Sequence, residues 1–192
     1  MPKPPRRDLS DVEALKALAH PLRLQLLTWL QRHGAATSAD LAAEFDEDRG
    51  ATSYHLRQLA RFGFVEEDTA RSAGRRRYWR AVPSDLRLPR RSDGEEEAVV
   101  AREIGRQWKE RADRDLSAYF ADQESYGAFA DAAMHSFGST VLTADELAQF
   151  GEEYIAFLTR WQRDPEQAPP GDRRHITVVF HAFPTPGEGT GR

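Results

Sequence analysis

Arg49, Thr52, Ser53, Tyr54, Arg57, Gln58 and Arg61 fall within one short stretch of the chain. If that stretch is a helix, Leu56 and Leu59 turn inward. Ser53, Tyr54, Arg57, Gln58 and Arg61 then share the outer side, with Arg49 at its start. In the DNA major groove a guanidinium pairs with guanine through two hydrogen bonds, and a carboxamide does the same with adenine. Thr52 and Ser53, near the positive end of the helix, suit phosphate oxygens. Shortly afterwards come Arg71, Arg75, Arg76, Arg77 and Arg80, interleaved with Tyr78 and Trp79. On a strand Arg76, Tyr78 and Arg80 share one side, and Arg75, Arg77 and Trp79 the other. Guanidinium groups at a hairpin tip neutralise phosphates or enter the minor groove. Arg75, Arg76 and Arg77 are therefore expected to contact DNA, and Trp79 to pack the hairpin onto the helices. A solvated amphipathic helix beside a charged, aggregation-blocking edge is the plain alternative. The hairpin following directly on the helix favours DNA.

Local charge agrees. Arg49–Arg80 holds eight arginines and three acids, Glu66, Glu67 and Asp68. Residues 1–90 carry 16 Lys+Arg against 12 Asp+Glu, and residues 91–192 carry 11 against 19, within a chain of net charge -4. A basic stretch inside an acidic protein points to a local anionic partner.

Other chemistry is poorly supplied. The chain has 0 cysteines, which excludes disulfides, thiolate metal sites and cysteine nucleophiles. Imidazole and carboxylate could still hold zinc or nickel, but His20, His33, His55, His135, His175 and His181 show no tight ligand spacing, so no metal and no cofactor are expected. Gly187–Gly191 mimics a phosphate loop without the helix that must follow it. No Ser/His/Asp set stands in a strand-turn-helix context, so an enzyme is not expected. Tyr126, Phe129, Phe137, Phe150, Tyr154, Phe157, Trp161, Phe180 and Phe183 crowd the C-terminal third. They read first as a small core. As a pocket for a small-molecule effector they would centre on Tyr154 and Trp161.

These residues need elements to position them. Ser10 and Glu13 form a capping box that opens a helix running to Ala19. Pro21 starts a second helix and Gly34 ends it. Thr37 or Ser38 opens a third, and the fourth spans 51–62, stopped by Gly63. Strands over 64–67 and 76–82 close the pattern, so a helix-turn-helix is followed by a hairpin wing. Pro83, Pro89 and Gly94 mark a linker, and a long helix fills 95–121. Beyond it the pattern predicts a helix over 126–134, a strand over 137–142, and a helix opened by a Thr143–Glu146 capping box. Residues 176–183, apolar on both parities, read as a strand covered on both faces.

Four pieces in this order resemble a known family: Ala19-His20-Pro21-Leu22-Arg23-Leu24, Ser53-Tyr54-His55-Leu56-Arg57-Gln58-Leu59, Gly63-Phe64-Val65-Glu66 and Gly74-Arg75-Arg76-Arg77-Tyr78-Trp79. Together they are similar to the ArsR-type winged helix-turn-helix repressors, in particular an actinobacterial-like branch lacking cysteine metal ligands. The resemblance covers about residues 9–83. It implies a homodimer on operator DNA, the fourth helix in the major groove, the wing on the flanking backbone, and a dimer interface built partly by a helix after the wing.

The fold class expected is α+β, mainly helical: an N-terminal winged helix-turn-helix with a C-terminal helix/strand extension. Its parts are a flexible tail over 1–8, the winged helix over 9–83, a linker over 84–94, a dimerisation helix over 95–122, a helix/strand domain over 123–184 and a disordered tail over 185–192. The function expected is a DNA-binding transcriptional regulator, more a repressor than an activator, bound as a homodimer to a palindromic operator of double-stranded DNA. The alternatives are a winged-helix protein-interaction module and a small-molecule-binding protein using the aromatic region. The charged, proline-rich start with no apolar segment behind it, and the absence of a spanning run, predict a cytoplasmic protein without membrane contact.

Overall fold

The computed structural model describes residues 6–8, 11–74, 76–82, 85–89, 92–161 and 173–185. They separate into two compact units that divide between Arg111 and Ala112.

In the first unit, α1 (Val12–Ala19) and α2 (Pro21–His33) supply Leu15, Leu18, Leu26, Leu27 and Leu30, all buried. The N-cap of α1 is Asp11, whose side chain accepts from the Glu13 N–H, in place of the expected Ser10, which lies outside the described residues. Gly34 ends α2 at φ 83 with its N–H on the Leu30 carbonyl. Next come β2 (Ala36–Thr37), which no hydrophobic pattern announced, and α3 (Ser38–Glu44), opened by a full Thr37/Asp40 capping box. The helix α4 (Arg49–Arg61) begins two residues before the expected start, because Asp48 caps it by accepting from the Ala51 N–H at 2.9 Å.

The chain leaves α4 through Gly63, at φ 66. There the Gly63 N–H donates to the Ala60 carbonyl and the Phe64 N–H to that of Leu59. That pairing is a Schellman motif, and it needs the left-handed backbone glycine permits. The chain then forms β3 (Val65–Glu67) and β4 (Tyr78–Ala81). The sheet order is β2-β4-β3, antiparallel throughout, with Glu66 opposite Arg80 and Ala36 opposite Trp79. Trp79 is buried in the same core as Leu56, Leu59 and Phe64, so it ties the wing to the helices.

Two stretches expected as tail and linker contain strand. β1 (Arg6–Asp8) pairs in parallel with β5 (Asp85–Arg87), which lends both segments backbone partners that neither side-chain pattern reveals. The long helix α5 (Glu95–Ala121) then runs from the first unit into the second. Its Ile104 is fully buried in the first unit's core, and Gln107 donates through Nε2 to the Ala19 carbonyl at 2.8 Å.

The second unit holds the last turns of α5, a 3-10 turn (Gln123–Tyr126), α6 (Ala128–Ala132) and α7 (Ala144–Trp161). The expected helix over 126–134 is thus split and short. The Thr143/Glu146 capping box is formed: the Thr143 N–H and hydroxyl donate to the Glu146 carboxylate, and the Glu146 N–H donates to the Thr143 hydroxyl. Neither 137–142 nor 176–183 is a strand. A strand needs a neighbour to take its backbone groups, and among the described residues the second unit has no strand. Instead Phe180 stacks on Tyr154 of α7, with ring centroids 3.7 Å apart, while Ile176, Val178, Val179 and Phe183 stay largely exposed. The fold is α+β and mainly helical, as the patterns required.

Candidate nucleic-acid interface

The helix α4 is amphipathic. Thr52, Leu56 and Leu59 are buried, while Arg49, Tyr54, Arg57 and Arg61 are exposed and Ser53 and Gln58 partly so. Thr52 departs from the expected phosphate role: its hydroxyl donates to the Asp48 carbonyl at 3.0 Å and the residue is 0% exposed. Only Ser53 of the pair reaches the surface. Tyr54 is 55% exposed, a large aromatic facing water. Arg49 and Arg57 form no ion pair among the described residues, whereas Arg61 lies over the Phe62 ring at 5.4 Å.

The wing is organised by an acid. Asp68 is 6% exposed. Its carboxylate accepts from the N–H groups of Ala70 and Arg71, and its own N–H donates to the Tyr78 carbonyl. The Ser72 hydroxyl takes the Tyr78 N–H at 3.0 Å. Gly74, at φ 59, turns the tip, and Ala73 and Arg76 exchange backbone hydrogen bonds across it. Arg76 and Arg77 are exposed beside it; Arg77 lies 3.7 Å from Glu67 and Arg80 pairs with Glu66 at 2.7 Å. Arg75 lies outside the described residues.

Behind α4 is a basic cluster that the motifs contain but their spacing does not reveal. The His20 and His55 rings lie 4.4 Å apart, and Tyr54 sets its ring against His55 at 5.4 Å. Arg23 donates to the Lys16 carbonyl, while its Nε and the His55 Nδ1 are buried without a hydrogen-bond partner. Burial first, then the charge of Arg23, holds the His20 imidazole below its ordinary pKa; for His55 the order is burial, His20, then Arg23. Asp48 and Asp68 are further anchors of the surface. An Asp ahead of a helix, and an Asp ahead of Thr-Ala-Arg-Ser, are the local signals that mark such roles.

In the second unit Tyr154 is covered by Phe180, and Trp161 is 65% exposed near Phe157. An open groove of about 670 Å³ lies elsewhere in that unit, lined by Phe120, Asp122, Glu124, Gly127 and Asp131 among others. Among the described residues no group of three or more His, Asp or Glu side chains could hold a metal ion, and no helix is long and apolar enough to cross a membrane.

Helix-turn-helix, Schellman stop and three-stranded wing define a winged helix-turn-helix domain. Residues 18–68 match the family model of the helix-turn-helix domain. Among solved structures, the chain is similar to the homodimeric winged helix-turn-helix DNA-binding domain Mb0332 from Mycobacterium bovis, a possible ArsR-family transcriptional regulator. The identity is 26%, over 51% of this chain and 77% of that one, with a TM-score of 0.34. It is similar to reduced HlyU from Vibrio cholerae at 26% identity over 46% and 79%, TM-score 0.32. A possible transcriptional regulator for arsenical resistance aligns at 29% identity over 55% and 95%, TM-score 0.33. No curated protein matches the chain. The domain match thus places a helix-turn-helix within residues 18–68, and the sheet that follows makes it a winged one.

Proposed function

We propose that the chain represses transcription by binding a palindromic operator as a homodimer, with α4 in the major groove and the wing on the flanking backbone. The observation that carries this reading is the outer side of α4. It presents Ser53, Tyr54, Arg57 and Gln58 to solvent, with Arg57 free of an ion pair among the described residues, next to a wing that exposes Arg76 and Arg77. Burying such a surface against a neutral partner would leave guanidinium charge uncompensated, whereas a groove supplies phosphates and base edges together. Arg57 and Gln58 read bases, Ser53 and Arg49 take phosphates near the helix start, and Arg76 and Arg77 neutralise the backbone. Arg61, over Phe62, borders the same surface and adds charge. Thr52 has a structural role, holding the α4 start.

Self-association is supported by α5, where Val99, Leu116 and Phe120 are 51%, 43% and 53% exposed on a helix whose Ile104 anchors it to the domain. A two-fold pair would set two α4 helices into half-sites about one helical turn apart. The test is fluorescence anisotropy against the DNA immediately upstream of the chain's own gene and against a shuffled fragment, at several salt concentrations. Tight, salt-dependent binding that prefers the native fragment is expected. Absence of binding at low salt would return the winged helix to a protein-interaction role.

A further inference from the structure

We propose that His20 and His55 form a proton-sensitive seat for α4: as a neutral pair they hold the helix in its reading position, and a proton entering the pair loosens it. The functional consequence rests on the DNA-binding reading above; the seat itself does not. The geometry is specific. His20 stands at the α1–α2 junction as the N-cap of α2, with no side-chain capping bond, and its ring lies 4.4 Å from that of His55 in the middle of α4. His55 also carries the ring of Tyr54, so a shift of the pair moves a residue of the outer surface. His55 Nδ1 and Arg23 Nε are enclosed with no hydrogen-bond partner. An imidazolium there would hold one N–H donor aimed at nothing, beside a permanent cation.

The charges around the pair set the sign. From α2, Arg23 faces both rings; from the turn before α4, Glu47 faces both and is the one carboxylate acting on them among the described residues; from α4 itself comes the Tyr54 ring. On α1 the Lys16 ammonium is occupied by Glu13 and Glu96, while the Lys16 carbonyl takes Arg23. Protonating one ring therefore adds charge next to Arg23 and makes protonation of the other harder. Both imidazoles are held below the ordinary 6.5 of histidine. The unfolded chain then takes up protons before the folded one as pH falls. The seat is complete above about pH 6.5 and is lost as pH drops toward the lowered folded values.

Two measurements on the full chain test this. The first, independent of DNA, follows the imidazole ring protons by NMR from about pH 8 to about pH 5, the range in which histidine titrates. In the wild type His20 and His55 should titrate below 6.5, and in His20→Gln the His55 midpoint should rise. Midpoints at or above 6.5, or a His55 midpoint indifferent to His20→Gln, would overturn the seat. The second compares the preference for native over shuffled upstream DNA at about pH 7.5 and about pH 5.5. It should fall in the wild type and change less in His20→Gln, while phosphate attraction alone would strengthen both fragments alike at low pH. An unchanged preference, with the ring midpoints as expected, would overturn the coupling to DNA reading. Failure to bind either fragment at any pH would instead remove the DNA-binding reading and, with it, the functional consequence.

Discussion

At the scale of single residues, side chains that read bases and side chains that only attract phosphate separate cleanly in their expected effects. Arg57 and Gln58 lie on the outer side of α4, and in the proposed complex their bidentate contacts would discriminate one base from another. Arg57→Ala or Gln58→Ala should cost about 1–3 kcal/mol of specific binding and relax base preference at one position, read by anisotropy with single-base variants of the bound site. Arg76 stands at the wing tip, where the proposed role is to neutralise the DNA backbone. Arg76→Ala should weaken native and shuffled DNA alike and reduce the slope of log K against log salt by about one. An unchanged slope would remove the wing from the interface. Thr52 makes the opposite case: buried and bonded to Asp48, Thr52→Val should alter folding stability more than salt dependence.

At the scale of elements, the interface depends on where helices start and stop. Gly63 holds φ 66 at the end of α4, and any side chain there is strained. Gly63→Ala should destabilise the domain by about 1–2 kcal/mol, measured by urea unfolding. The α3 capping box carries a pH signature. Hydrogen bonds from the Thr37 hydroxyl and N–H hold the Asp40 carboxyl below the usual carboxylate range. A depressed carboxylate contributes stability that is present above its ordinary pKa and lost as pH falls through the lowered one. Thr37→Ala should therefore lower stability near neutrality by about 1 kcal/mol and leave a shallower acid limb in unfolding midpoint against pH. The shallower limb is the informative part, since the substitution removes the hydroxyl bond to Asp40 and leaves only the backbone N–H one.

At the scale of the molecule, α5 is the element that belongs to more than one task. Ile104 closes the core of the first unit and Gln107 holds the carbonyl that ends α1, while Val99, Leu116 and Phe120 remain in water. Ile104→Ala should cost about 2–5 kcal/mol as a cavity in that core, seen in thermal unfolding. If the exposed side of α5 joins two copies, the unfolding midpoint of the wild type should rise with protein concentration, since association stabilises the folded state by mass action. Val99→Glu should abolish that dependence with little change in circular dichroism. The C-terminal unit has another character: α7 has no buried residue, and Phe157, Trp161, Ile176 and Phe183 are at least half exposed. Its aromatic residues pair locally, as Tyr154 does with Phe180 and Tyr119 with Tyr126, without gathering into a closed core.

What was legible in the sequence was whatever local chemistry decides. The 3.6-residue spacing of Leu56 and Leu59 fixed which side of α4 faces out, and Pro21, Gly34, Thr37 and Gly63 marked helix ends because each satisfies or frees backbone groups within a few residues. The arginine cluster, and with it the expectation of an anionic partner, needed only counting. Tertiary structure decided what depends on partners distant in the chain. The burial of Thr52 is a tertiary outcome, and β1, β2 and β5 exist only because each meets another strand. The meeting of His20 with His55 joins two motifs 35 positions apart, through the angle between α2 and α4. Residues 176–183 show the converse: their β-branched and aromatic run, apolar on both parities, asks for a sheet, but a strand is a pairwise object, and among the described residues the second unit offers no strand to pair with it.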